Sequence, residues 1–126
     1  MKELLTVLLS LSLLILKGQV MDCTVEDCNN NSNSIFNILA SGKALIIASK
    51  GFDCSICVNR APGWGTWATA NKQQVEVWGA MTNTYSSAIP SCNMVNNWVS
   101  TYGWADIYTF IDSSEYFFAT GTPRYL

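Results

Sequence analysis

The sequence predicts a single α/β domain with a parallel sheet at its centre. Short strand-like runs alternate with segments whose apolar residues repeat every three or four positions, and this alternation is typical of strand–helix–strand units with right-handed crossovers. The chain has 126 residues, of which 49% are hydrophobic and 13% are charged. That length and composition predict one globular domain with its own core, and they exclude a disordered chain.

Residues 1–19 are predicted to be a secretory signal peptide. Met1–Lys2 is a basic start, Leu4–Leu16 is an apolar stretch, and the chain turns polar at Lys17. The apolar stretch is too short to cross a bilayer comfortably. We therefore expect cleavage after Gly18 or Gln19, and a secreted or periplasmic protein without a stable membrane span. An uncleaved N-terminal membrane anchor is the alternative.

Residues 20–34 are predicted to be a polar linker, because Cys23–Asn33 is rich in asparagine. The domain itself is expected to cover residues 35–126. It begins with a helix that Ser34 caps and Gly42 ends. The apolar residues at helical spacing in this helix are Ile35, Phe36, Ile38 and Leu39.

A buried strand and a long helix are predicted next. Lys43–Ser49 is a short, continuous apolar run of the kind that is buried on both faces of a sheet. After a turn at Gly51–Asp53, the apolar spacing predicts a helix to about Lys72, with Pro62 bending its middle. The residues that set this spacing are Val58, Ala61, Trp64, Trp67 and Ala68.

Two further strand–helix steps complete the predicted domain. Gln74–Met81 is a strand, residues 82–90 are a loop, and Ser91 caps a helix that Gly103 ends. Ile107–Ile111 is the third strand. The spacing of Asp112–Glu115 is that of a capping box, which predicts a short helix carrying Phe117 and Phe118.

The motif Cys54–Ser55–Ile56–Cys57 carries the predicted chemistry. It follows the buried strand and opens the long helix, whose unpaired N–H groups and partial positive charge lower the pKa of a thiol. The second cysteine is near enough in sequence to close a disulfide and release a bound partner. This arrangement predicts a redox-active pair.

Three more cysteines leave their pairing open. An exported chain folds in an oxidising compartment, where cysteine pairs persist as disulfides. Cys23 and Cys28 are close in sequence and are one possible pair. Cys92, at the start of a predicted helix, is then a buried small residue, a tether to Cys23 or Cys28, or a thiol that the helix start activates.

Composition excludes several function classes. The sequence contains no histidine, which removes histidine-based triads, haem attachment and histidine-containing zinc or copper sites. Its net charge is −2 and its basic residues are scattered, so no nucleic-acid surface is predicted. No cofactor and no metal are implied.

At this point the residues resemble the thioredoxin-like superfamily, in its exported branch. The C-x-x-C motif follows a buried strand, Pro62 stands where thioredoxins have the proline that bends the active-site helix, and Thr122–Pro123 precedes a strand, as the cis-proline of that family does. The stretch 80–111 is similar to the helix and strand that exported members insert. The resemblance covers about residues 35–126.

The resemblance implies a thiol–disulfide oxidoreductase acting on disulfide- or thiol-bearing proteins. It makes Cys54 the nucleophile and Cys57 the resolving cysteine, and it gives Thr122 and Pro123 the role of binding the partner chain. Phe52, Trp64 and Tyr125 are expected to form an apolar rim around the site.

The chain departs from the family pattern in three places. Ser55–Ile56 replaces the usual Gly-Pro, Asp53 replaces an aromatic residue, and Ala48 stands where thioredoxin has a buried acid. The family also continues after its cis-proline with a β-hairpin and a helix. Since this sequence stops at Leu126, we expect an incomplete fold that is poorly stable or prone to aggregation, with an open edge beside the Cys54-bearing strand.

Two other functions remain open from the residues. Cys23, Cys28, Cys54 and Cys57 supply the four thiolates of a zinc site. A non-catalytic thioredoxin-like module, with a static disulfide between Cys54 and Cys57, is the other alternative.

Overall fold

The computed structural model describes residues 21–82 and 88–117, and this part of the chain forms five strands and three helices. In chain order they are β1 (Thr24–Glu26), β2 (Ser32–Ser34), α1 (Ile35–Ala40), β3 (Ala44–Gly51), α2 (Ser55–Asn71), β4 (Val75–Thr82), α3 (Cys92–Tyr102) and β5 (Tyr108–Ile111).

The main sheet is parallel, which confirms the predicted α/β class. Its strand order is β3-β4-β5, with β4 in the centre. β3 pairs with β4 along all eight residues, from Ala44 opposite Val75 to Gly51 opposite Thr82. Because β4 covers one edge of β3, and no other described strand covers the second, β3 lies at the edge of the described sheet.

Helices α2 and α3 cover one face of the sheet. Alternate residues of β4 point to opposite faces, and Val77 and Met81 point to this one. They are buried together with Ala61 of α2 and with Trp98 of α3. A larger set of side chains, including Cys57, Phe52 and Trp64, packs against this cluster, so the candidate motif rests directly on the core.

The opposite face is covered by α1 and the N-terminal strands. Trp78 and Ala80 of β4 point there and are buried with Ile35, Ile38 and Phe110. The predicted caps are present at both short helices. Ser34 Oγ accepts a hydrogen bond from the N–H of Asn37, and Ser91 Oγ accepts one from Met94.

The polar segment before α1 contains more structure than its composition predicts. β1 and β2 form an antiparallel hairpin, where the sequence predicts a linker. Asp27 organises its turn, because its carboxylate accepts hydrogen bonds from the N–H groups of Asn29 at 2.8 Å and Asn31 at 2.9 Å. A bridge between Asp27 and Phe110 attaches the hairpin to β5.

The helix predicted from the capping-box spacing of Asp112–Glu115 is absent from residues 112–117, the part of that segment that the structure describes. Glu115 has φ +55°, which a helix start does not allow. The buried carboxylate of Asp112 instead accepts hydrogen bonds from the N–H groups of Tyr116 and Phe117, both at 2.9 Å. These hydrogen bonds stabilise a turn in place of the helix. Phe118, the other residue predicted in that helix, lies outside the described residues.

Candidate active site

The Cys54–Cys57 pair lies where β3 passes into α2. A turn closes the end of β3, since the N–H of Cys54 donates to the carbonyl of Gly51 at 3.3 Å. Cys54 is the N-cap of α2, and its Sγ accepts a hydrogen bond from the N–H of Cys57 at 3.2 Å. The two cysteines form a disulfide, with their Cα atoms 5.2 Å apart.

The surroundings favour negative charge on the Cys54 sulfur. The first turn of α2 contains no acidic residue, so its N-terminal dipole is not offset from within the helix. A hydrogen bond from the N–H of Cys57 stabilises a negatively charged sulfur more than a neutral one. Asp53 is exposed and directly precedes the pair.

Lys50 brings a partly buried cation to the same end of β3. Its Nζ lies 5.5 Å from the centre of the Trp64 ring, within the range of a cation–π contact. Burial, and then the nearby Arg60, hold the pKa of Lys50 below its usual value. The ammonium is therefore poorly solvated, and it is held against the helix that carries both cysteines.

Pro62 lies inside α2, as predicted. It has no N–H to donate to the carbonyl four residues earlier, and this is how proline bends a helix. The neighbouring carbonyl of Ala61 accepts a hydrogen bond from Trp104 Nε1 at 2.8 Å. Helix α2 is thus attached to the core directly before Pro62.

The aromatic residues predicted for the rim have different neighbours. Phe52 is half-buried and meets Trp98 of α3 edge to face, with ring centres 5.4 Å apart. Trp64 meets Trp67 in the same way at 6.0 Å. The sequence did not single out Ile56, an apolar residue between the two cysteines that is 65% exposed.

The structure brings Cys54 and Cys57 together, but the described residues do not include the C-terminal residues of the predicted site. Thr122, Pro123 and Tyr125 lie outside the described residues. Their predicted contacts with a partner chain remain predictions.

The suggested Cys23–Cys28 pair is wrong. Cys28 is bonded to Cys92, with Cα atoms 5.3 Å apart, which is the tether that the sequence left as an alternative. Cys23 has a free thiol. The reason is the sheet: Cys23 packs against the Trp78 cluster on one face, while Cys28 packs on the α3 side. Burial, and then Asp22 and Asp112, raise the pKa of Cys23.

The four thiolates of the hypothetical zinc site are not available together, because Cys28 is bonded to Cys92 and Cys54 to Cys57. Among residues 21–82 and 88–117, no three cysteine, aspartate or glutamate side chains are grouped to hold a metal ion. In the same ranges, no helix combines the length and the apolar character that crossing a membrane requires.

Comparison with solved structures identifies the architecture. No protein-family model matches the sequence, and no curated protein matches it. A hypothetical protein from Sinorhizobium meliloti has a TM-score of 0.64 and 18% identity, over 76% of this chain and 52% of that one. A secreted Mycobacterium tuberculosis disulfide oxidoreductase, described as homologous to E. coli DsbE, has a TM-score of 0.61 and 18% identity, over 75% and 63%.

A third structure is the thioredoxin domain of a thiol-disulfide oxidoreductase from Bacteroides vulgatus. Its TM-score is 0.55 at 18% identity, over 74% of this chain and 63% of that one. The chain thus spans between about half and just under two thirds of the length of these structures. With its parallel sheet, its crossover helices and its helix-capping cysteine pair, the chain has a thioredoxin-like fold.

Proposed function

We propose that this protein is an exported thiol–disulfide oxidoreductase that uses Cys54 and Cys57 as its redox pair. The observation that carries the proposal is the position of Cys54 at the N-cap of α2, with its sulfur accepting a hydrogen bond from the N–H of Cys57. Two of the structural neighbours are described as oxidoreductases of disulfides, which supports the same chemistry.

The proposed reaction is a two-step exchange. The Cys54 thiolate attacks one sulfur of a partner disulfide, and the other partner sulfur leaves as a thiolate. The Cys57 thiolate then attacks the Cys54 sulfur of this mixed disulfide, which releases the second partner thiol and forms the Cys54–Cys57 bond. Two electrons pass to the partner. The same steps in reverse oxidise a partner dithiol, with Cys54 again forming the mixed disulfide.

In this proposal, the positive charge of Lys50 favours the thiolate form of Cys54, which is the form that attacks the partner disulfide. The cation lies at the end of the strand that delivers the cysteine, and its partial burial limits screening by water. It offsets the negative charge that Asp53 brings next to Cys54, in the position where thioredoxin-like proteins have an aromatic residue.

The partner in this proposal is a protein that presents a disulfide or two thiols. Exposed Ile56 and the partly buried Trp64 offer apolar contacts beside the pair. Thr122 and Pro123 are proposed to bind the partner's backbone, as their place in the family pattern suggests. No nucleic acid takes part in the proposed reaction.

Export is part of the proposal. Residues 1–19 are proposed as a signal peptide, residues 20–34 as the segment that follows it and residues 35–126 as the catalytic domain. Support comes from the N-terminal charge and hydropathy pattern, from the Cys28–Cys92 disulfide and from the secreted M. tuberculosis neighbour.

A redox titration of the full chain tests the proposal. The protein is equilibrated across a graded glutathione series, its free thiols are trapped with a maleimide, and each cysteine is mapped by mass spectrometry. We expect a reversible two-electron transition at Cys54 and Cys57, and a loss of disulfide-reducing activity in Cys54→Ser.

The Cys57→Ser variant is the matched control. It keeps the nucleophile and removes the resolving thiol, so it should accumulate a mixed disulfide on Cys54. A pair that stays oxidised throughout the titration would support the alternative of a static disulfide in a non-catalytic module. An unchanged activity in Cys54→Ser would refute the proposed mechanism.

A further inference from the structure

The second disulfide has its two sulfurs in different surroundings. Cys92 is exposed at the first position of α3, an eleven-residue helix with no acidic residue in its first turn. Cys28 is half-buried in the loop that joins β1 and β2, and it packs against the core on the α3 side. The Cys28–Cys92 bond therefore joins the N-terminus of α3 to a residue that also lines a cavity.

That cavity has a volume of about 500 Å³ and lies beside β5, between α3 and the β1–β2 loop. Its size is within the range of small-ligand sites, which is roughly 300–1,000 Å³. Cys28 forms part of the wall, whereas Cys92 does not. A molecule bound there approaches the disulfide from the Cys28 side.

The cavity wall has charges of both signs. Lys43 lies 3.2 Å from Glu76, and Lys72 lies 3.2 Å from Asp106. Each pair is partly exposed, and an ammonium with three donors or a carboxylate with several lone pairs keeps capacity for a ligand. Apolar side chains such as Val95 and Trp104 complete the lining. This lining is complementary to a small molecule that carries both an ammonium and a carboxylate.

We propose that Cys28–Cys92 is a second exchangeable disulfide, opened by a small zwitterionic thiol that binds in this cavity. The ligand's thiol first loses its proton to solvent. Its thiolate attacks Cys28 Sγ, the Cys28–Cys92 bond breaks, and the electron pair leaves on Cys92 Sγ. A second molecule of the thiol then attacks the mixed disulfide, which releases the oxidised ligand and leaves Cys28 reduced.

The direction of attack follows from the leaving group. A thiolate leaves faster when its conjugate thiol has a lower pKa, and a helix N-terminus stabilises negative charge. Cys92 is therefore the better leaving group, and Cys28 is the cysteine that lines the cavity. This chemistry does not depend on the reaction proposed for Cys54.

The test uses the full chain with Cys54→Ser and Cys57→Ser, so that opening of Cys28–Cys92 is read without the first pair. Glutathione, a zwitterionic peptide thiol, is compared with mercaptoethanol at matched thiolate concentration. We expect the opening rate to saturate with glutathione and to rise linearly with mercaptoethanol. An acid-quenched reaction should contain glutathione on Cys28 and an alkylatable thiol on Cys92.

Charge variants separate binding from simple reduction. Lys72→Met should slow the glutathione reaction by about fivefold, the scale of one partly exposed charge contact, and leave the mercaptoethanol reaction unchanged. Arg60→Met removes the same charge outside the cavity and should change neither rate. If the double variant does not fold, the same mapping on the wild-type chain reports each pair separately.

Three results would overturn the proposal. They are an adduct on Cys92 instead of Cys28, a glutathione rate that is linear and insensitive to Lys72→Met, and a disulfide that stays closed in millimolar thiol while the chain is folded.

Discussion

Trp104 joins two parts of the core through one hydrogen bond and one close packing contact. Its side chain is buried, and Nε1 donates to the carbonyl of Ala61 in α2. Its ring lies over Gly79 of β4, where an added Cβ would come within 2.7 Å of the Trp104 ring. Because Gly79 has no side chain, the indole of Trp104 can pack directly against the sheet at this position.

Trp104→Phe should destabilise the protein mainly because the carbonyl of Ala61 loses its hydrogen-bond donor. Phenylalanine fills much of the same space but has no N–H, so a buried acceptor loses its donor, at a cost of about 1–3 kcal/mol in addition to the lost volume. The free energy of unfolding in urea measures this loss.

Trp98→Phe is the matched control for the hydrogen bond. Trp98 is also buried, but its Nε1 has no acceptor among the described residues. The same change of volume there should cost less, by the roughly 1–3 kcal/mol of leaving a buried acceptor without its donor. Equal losses in the two variants would mean that the Trp104–Ala61 bond contributes nothing.

At the scale of elements, α2 and the end of α3 approach closely at Gly65. An added Cβ at Gly65 would lie 2.6 Å from the carbonyl oxygens of both Tyr102 and Gly103. Both are backbone atoms, and Gly103 has the left-handed conformation, φ +68°, that ends α3. The contact therefore has no flexible side chain that could give way.

Gly65→Ala should lower the stability of the protein, although alanine favours a helix. The gain in helix propensity is about 1 kcal/mol, and overpacking against fixed backbone typically costs about 1–3 kcal/mol. Gly63→Ala tests this directly, because Gly63 is in the same helix and has open space around its Cβ position. Gly63→Ala should raise the stability of the protein by up to about 1 kcal/mol, which thermal melts would show. If Gly65→Ala also gained stability, the close contact of Gly65 with the backbone of Tyr102 and Gly103 would not destabilise that variant.

The β1–β2 hairpin should respond to pH through Asp27. Partial burial alone would raise the pKa of Asp27, but hydrogen bonds from Asn31 and Asn29 outweigh it and hold that pKa below its ordinary value. A lowered pKa in the folded state means that the carboxylate stabilises the fold above the unfolded pKa of about 3.9. This contribution is lost as the pH falls through the lowered value.

Asp27→Asn removes the charge and keeps one oxygen acceptor. We expect wild type to be more stable than the variant at pH 6, and the difference in urea midpoint to shrink as the pH falls below about 4. Amide exchange in residues 24–34 should show the same trend locally. A difference that is the same at pH 6 and pH 2 would contradict a role for the ionised carboxylate.

At the scale of the whole molecule, local patterns in the sequence predict most of the fold. The apolar run before Cys54, the caps Ser34 and Ser91 and the helix-ending Gly103 act within a few residues, and the structure confirms the strand, both caps and the helix end. The prediction that this strand is buried on both faces is wrong for the described residues, because β3 is an edge strand in which only Ala48 is buried. The position of Cys54 at a helix start follows from the same local rules. These local features predict a parallel α/β domain, and the thioredoxin-like fold was implied by the family resemblance of Cys54–Cys57, Pro62 and Thr122–Pro123.

Two of the features that the sequence left open or did not predict depend on residues far apart in the chain. Cys28 pairs with Cys92 because the hairpin lies next to α3, and spacing alone favours Cys23 as its partner. Packing of Phe52 against Trp98 likewise follows from the position of α3 beside the turn that precedes Cys54. At Asp112, a buried carboxylate that binds two backbone N–H groups replaces the helix that the local pattern indicates.

The two disulfides should differ in how much they stabilise the molecule. Cys28 and Cys92 are 64 positions apart, so their bond restricts the unfolded chain enough to contribute about 4 kcal/mol in the loop-entropy account. Cys54 and Cys57 are three positions apart, and by the same relation their bond contributes at most about 2 kcal/mol.

Paired serine variants measure this difference in urea without reductant. Cys28→Ser with Cys92→Ser should lose about twice as much stability as Cys54→Ser with Cys57→Ser, because serine is itself a good N-cap and keeps the start of α2 capped. Equal losses would mean that native packing, rather than loop closure, sets the contribution of each bond. By the thermodynamic cycle of folding and reduction, the fold stabilises each closed disulfide against reduction by the same free energy that the disulfide adds to folding. Cys28–Cys92 should therefore need more reductant than Cys54–Cys57 to reach half reduction in the folded chain, and a glutathione titration with cysteine mapping measures that order.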